Sequence, residues 1–194
     1  MMRLKLGNPK FETTLRILSG VLKKVQDSRP VPVLIEIIKV DHSSLAARCV
    51  GKMGYIGTSM KPGFKEFFES MARARLATEC LGDSGDRSAV PSLKEFRQSL
   101  KSENEKVLEI RLQRGHSSGS TYPTEEESQM CRCRDGVMEE VDWALAKLGE
   151  YDLIPSIIAA CYELNQKRVI ETLSRVGTAA IPEVIKCLAD ERSR

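Results

Sequence analysis

The stretch Ala74-Arg75-Leu76-Ala77-Thr78-Glu79-Cys80-Leu81-Gly82-Asp83-Ser84-Gly85-Asp86-Arg87-Ser88-Ala89-Val90-Pro91-Ser92-Leu93 decides the fold. A helical segment runs up to Gly85, and a second apolar segment with helical spacing, Leu93, Phe96 and Leu100, follows Pro91. A glycine just past a helix can take the left-handed conformation that ends it. A proline in the first turn of the next helix wastes no donor, because that N–H would have no intrahelical partner. Glycine followed by proline therefore marks helix, tight turn, helix.

Working outward, the same mark recurs. Pro32, Pro62, Pro91, Pro123, Pro155 and Pro182 form a ladder with steps of 30, 29, 32, 32 and 27 residues. A β-branched residue precedes four of them, Val31, Val90, Ile154 and Ile181, and Gly57, Gly85, Gly149 and Gly177 stand five or six residues upstream. Further helical stretches flank the ladder, such as Phe64, Phe67, Phe68 and Met71 after Pro62 and residues 141–148 before Gly149. Repetition every ~30 residues predicts two antiparallel helices per unit, each pair stacking on the next.

The stretches 74–93, 144–155 and 169–185 resemble HEAT repeats, and are closest to the short subtype named after the phycobilisome lyases. The resemblance implies an all-α, right-handed superhelical solenoid of the armadillo type. Six antiparallel pairs are expected at about 11–40, 43–71, 72–101, 103–134, 137–164 and 166–190. The fourth is thin: Glu103 to Arg114 offers Val107, Leu108, Ile110 and Leu112 as its core stripe, and Gly115-His116-Ser117-Ser118-Gly119-Ser120-Thr121 reads as a polar loop. A helix starting at Thr124, with Glu125, Glu126 and Glu127 in its first turn, reads as burying little. The expected organisation is helix pairs over 1–114, a flexible insertion or degenerate repeat over 115–136, and further pairs over 137–194.

Composition sets bounds. The chain has 194 residues, 41% hydrophobic and only 5% aromatic, which suits helix layers packed with aliphatic side chains. No apolar run approaches the roughly 20 residues that span a bilayer, so no membrane partner is expected. The basic segment from Met1 to Val25, with Glu12 its one acid, reads as a first helix better than as a transit segment. Cys49, Cys80, Cys161 and Cys187 fall in apolar helical stretches, where a thiol behaves as a small hydrophobe, and a reducing, cytoplasmic setting is expected.

Chemistry-bearing constellations are sparse. His42 and His116 have no supporting triad motif. Deoxyhypusine hydroxylase, an enzyme of the HEAT class, needs His-Glu pairs that this chain lacks, and that enzyme is excluded. Cys131 and Cys133 supply only half of a structural zinc site. No cofactor and no catalytic residue are expected. Arg48, Arg75 and Arg168 recur on first helices and are expected to bond turn carboxylates such as Asp27, Asp41 or Asp86.

Two charge patterns point to binding. Glu36, Glu66, Glu95 and Glu127 stand four residues after a ladder proline and would form a carboxylate column about 10 Å apart if the second helices line one face. Residues 1–61 carry 11 basic and 4 acidic side chains, whereas residues 124–194 carry 9 and 14. The expected function is a non-enzymatic scaffold whose N-terminal pairs hold an acidic protein partner, with Lys23, Lys24, Glu36, Lys39, Glu66 and Glu95 as contact residues. The resemblance implies two alternatives. One is a bilin lyase-type subunit or chaperone acting on a phycobiliprotein. The other is a nucleic-acid-binding HEAT-like protein, against which the acidic C-terminal third counts.

Overall fold

A β-branched residue followed by proline opens four helices, because the pyrrolidine ring presets φ where no backbone donor is needed. In the computed structural model, residues 9–39, 62–118, 125–161, 170, 173–174 and 176–191 are described. They form α1 (Pro9–Val25), α2 (Val31–Ile38), α3 (Pro62–Ser84), α4 (Val90–Ser118), α5 (Glu125–Lys147), α6 (Ile154–Cys161) and α7 (Ile181–Glu191), with no strand among them. The all-α expectation therefore holds for the described residues, none of whose helices is long and apolar enough to cross a membrane.

The turns fall at the glycines. Gly85, Gly149 and Gly177 have φ of +70°, +100° and +67°, and each leads through a short 3-10 turn into α4, α6 or α7. At the first turn, where the sequence has no glycine, Gln26 takes the left-handed backbone with φ +49°. Asp86 caps the second turn by accepting the Ser88 N–H at 2.9 Å.

The step of the ladder differs from the expectation of six short pairs. Between residues 62 and 161 each ladder step holds one long helix where two short ones were expected: Pro62 opens α3, Pro91 lies in the first turn of α4, Pro123 precedes α5 and Pro155 lies in the first turn of α6. Breaks expected near 72, 102 and 135 are absent, and α3, α4 and α5 run through them for 23, 29 and 23 residues. Nothing there stops a helix. No proline occurs at any of the three places, and Gly136, alone inside α5, costs only about 1 kcal/mol against alanine. Helices α6 and α7 pack together.

Helices α1, α3 and α5 lie side by side and point the same way. The Cys80 thiol meets the Leu15 carbonyl at 3.4 Å and the Ser19 hydroxyl meets Asp83 at 3.1 Å. On the other flank Arg75 reaches Glu140 at 3.4 Å and Asp83 meets Lys147 at 2.9 Å. Partner numbers rise together across both seams, offset by 64 or 65 residues, so the helices are parallel and in register. Between α4 and α5 the numbers run in opposite senses (Lys94 with Glu150, Arg97 with Asp142, Glu103 with Arg134), so those two are antiparallel. Helix α2 packs on α3.

The core follows the expected stripes. Phe67, Met71, Leu93, Leu100, Val141 and Leu148 are buried in one cluster that runs from α1 to α5, and Trp143, Ala146 and Ile157 form a second. Residues 125–136 correct the expectation of a flexible or barely buried segment. They belong to α5, and Met130 and Arg134 are fully buried. The stripe expected for the preceding helix fails in part, since Leu108 and Leu112 are more than half exposed on the far end of α4. Residues 119–124 lie outside the described residues, as do His42, Arg48 and Arg168.

Candidate protein-binding surface

Among the described helices, α1 stands at one end of the parallel row. Its inner side buries Leu15, Ser19 and Leu22 against α3, through the bonds of Ser19 to Asp83 and, at 3.2 Å, to Glu79. Its outer side carries Ile17, Val21 and Val25, each about half to two-thirds exposed, together with exposed Arg16, Gly20 and Lys24. Val33 on α2 is exposed as well. This is the most apolar open flank among the described helices of the N-terminal half, and its described charges are cationic.

Of the expected contact residues, Lys24 lies on α1, Glu36 in α2 and Lys39 just after it, all exposed. Lys23 is in α1, with its side chain outside the described ones. Glu66 and Glu95 are exposed too, but on helices of opposite sense. Glu36 sits on α2 and Glu95 on α4, whereas Glu66 opens α3, which belongs to the parallel row and runs opposite to α4. A carboxylate column on one set of equivalent helices therefore does not form from these residues. The cause is the ladder step, which counts single helices where pairs were expected. The side chain of Glu127 lies outside the described ones.

Arg75 also departs from the expectation. It bonds Glu140 across the α3–α5 seam, not a turn carboxylate. Asp27 is taken instead by its neighbour Arg29, whose backbone N–H donates to it at 2.9 Å and whose guanidinium holds it side-on. Those hydrogen bonds hold the Asp27 carboxyl down at about 2.

Two polar clusters inside the helix layer were not foreseen. In the first, Asp83 has no exposed surface and bridges Ser19 of α1 to Lys147 of α5. In the second, Arg134 is fully buried, with Nε 3.1 Å from Oε2 of Glu103 and the guanidinium 5.3 Å from the centre of the Phe67 ring. Nη1 donates to Asn104 at 3.4 Å, while Nε and Nη2 of Arg134 find no well-aligned acceptor among the described residues. A signal for the first cluster existed: Ser19, Asp83 and Lys147 are spaced by 64 and 64 residues, close to two steps of the ladder. No periodicity announces the second. Neither cluster opens to solvent, so both hold helices together.

Cys131 and Cys133, two apart on α5, face different sides of the helix and are partly buried free thiols. Burial pushes the Cys133 thiol up, more than the neighbouring Arg134 and Arg75 pull it down, which makes it a poor nucleophile. Comparison with protein-family models, with curated proteins and with solved structures returns no match to this chain.

Proposed function

We propose that this chain is a non-enzymatic scaffold of the HEAT-like, solenoid kind, whose N-terminal helices hold an acidic protein partner. One observation carries the reading. Helices α1, α3 and α5 stack in register through polar bonds between them, while the outer flank of α1 exposes an apolar stripe and cationic side chains. In a stacked helix array each element contacts only its neighbours, so an element at the end of the described row has a side left over. The basic excess of residues 1–61 supplies the sign of the partner.

The test is capture from the native host followed by binding of the purified pair. Association should slow as salt rises, and exchanging Lys24 and Lys39 for Glu should slow it further without moving the melting temperature. A partner that binds the exchanged protein as fast as the original at every salt concentration refutes the reading.

A further inference from the structure

The outer flank of α1 has a specific shape. Residues 17, 21 and 25 recur every four, so Ile17, Val21 and Val25 form a stripe that drifts about 40° around the helix per step. Gly20 lies beside that stripe, between Arg16 and Lys24, which follow it around the same side. A glycine in the middle of a helix is an unfavourable choice. Elsewhere the fold explains it: a Cβ on Gly82 would lie 2.7 Å from the Ala144 Cα, so that glycine lets α5 approach α3. At Gly20 a Cβ would meet nothing within 4 Å. Gly136 on α5 is equally open, but its neighbours Arg132, Asp135 and Glu139 are polar. Among the described glycines inside α-helices, Gly20 combines an open backbone with an exposed apolar stripe.

We infer that this flank receives an acidic amphipathic helix of a partner protein. The partner's apolar stripe crosses Gly20 at close range and packs on Ile17, Val21 and Val25, and its carboxylates meet Arg16 and Lys24. Small residues allow such an approach, as Gly82 does inside the layer. Among the described exposed side chains of α1 the charged ones are both cationic, so the complementary surface is acidic. An amphipathic helix laid into an apolar groove is a recurring mode of recognition. A membrane surface fits less well, because the stripe holds no Trp or Phe and the opposite side of α1 is committed to α3. The inference rests on the scaffold reading and narrows the partner to one class.

The probe is a labelled synthetic helix of about 20 residues, with Leu at i, i+4, i+7 and i+11 and Glu on both flanks, titrated with the full chain. A charge-reversed peptide with Lys in place of Glu is the control. The acidic peptide should bind at least about tenfold tighter than the control. Gly20→Leu fills the gap and should weaken binding by about tenfold or more. The same change should raise the melting temperature, since it improves the helix, so lost binding cannot be ascribed to unfolding. Arg16→Glu with Lys24→Glu should also weaken binding and flatten its salt dependence. Failure of the wild type to bind at about 100 μM, or undiminished binding by Gly20→Leu, overturns the inference. If the charge exchange weakens binding and Gly20→Leu does not, the scaffold reading stands and this docking geometry falls. Two further outcomes reassign the flank. A concentration-dependent dimer in sedimentation that Gly20→Leu abolishes gives it to a second copy. Binding to phosphatidylserine vesicles that Gly20→Leu strengthens gives it to a membrane.

Discussion

Burying the Arg134 guanidinium against the Glu103 carboxylate is costly. The ion loses its water, and its attraction to Glu103 must offset that loss. Removing one partner leaves the other charged and dry, so Arg134→Ala should lower stability by about 3–5 kcal/mol. Replacing the pair together, Arg134→Met with Glu103→Leu, should recover most of that loss; denaturant titration of the three proteins checks both statements. Asp27 behaves differently, being at the surface. Its carboxyl is held near 2, below the ordinary ~3.9 of an unfolded chain, so its contribution is present above the unfolded value and lost as pH falls through 2. Carboxyl resonances followed against pH should give a midpoint near 2 for Asp27, moving up towards 4 in Arg29→Gln. A midpoint unchanged by that substitution would mean that Arg29 does not hold it.

At the scale of elements the α3–α5 contact depends on an absence. The missing side chain at Gly82 admits the Ala144 backbone, and a Cβ there would fall 2.7 Å from its Cα. Gly82→Ala should therefore push the helices apart and cost about 1–3 kcal/mol, less the ~1 kcal/mol gained in helix propensity. A melting temperature that does not fall would show that the seam has slack. The same seam shows what could be read from the chain. Helix starts at Val31, Val90, Ile154 and Ile181 and turns at Gly85, Gly149 and Gly177 were legible, because proline and glycine act on their own backbone. Helix continuity was not. Residues 71–73, 100–103 and 134–137 neither start nor stop a helix locally, and only packing over two units shows that α3, α4 and α5 run through. That one gap moved the pairing step and, with it, the carboxylate column. The open flank of α1 was half legible: its bases were counted, but the exposure of Ile17, Val21 and Val25 depends on where α3 lies.

Across the whole molecule the charge counted along the chain is larger than the charge presented. Glu140 and Asp142, part of the acidic excess of residues 124–194, are matched by Arg75 and Arg97 from neighbouring helices. Among the described bases of the other end, Arg16 and Lys24 on α1 stay exposed. Lys23→Glu with Lys24→Glu should slow association with an acidic partner severalfold at low salt and little at high salt, with an unchanged melting temperature. Stopped-flow association rates at two ionic strengths check it. The parallel alignment of α1, α3 and α5 has one more consequence. Each helix has a macrodipole worth about half a charge at either end, and three that point the same way add along the edges of the layer. The edge of their C-termini is negative through its backbone alone, which Lys147 in the last turn of α5 answers by reaching Asp83 at 2.9 Å. The edge of their N-termini is positive, and there the exposed Glu125 opens α5. The backbone dipoles of α1, α3 and α5 thus agree in sense along the row, and the antiparallel α4 packed against α5 offsets them on its side of the layer.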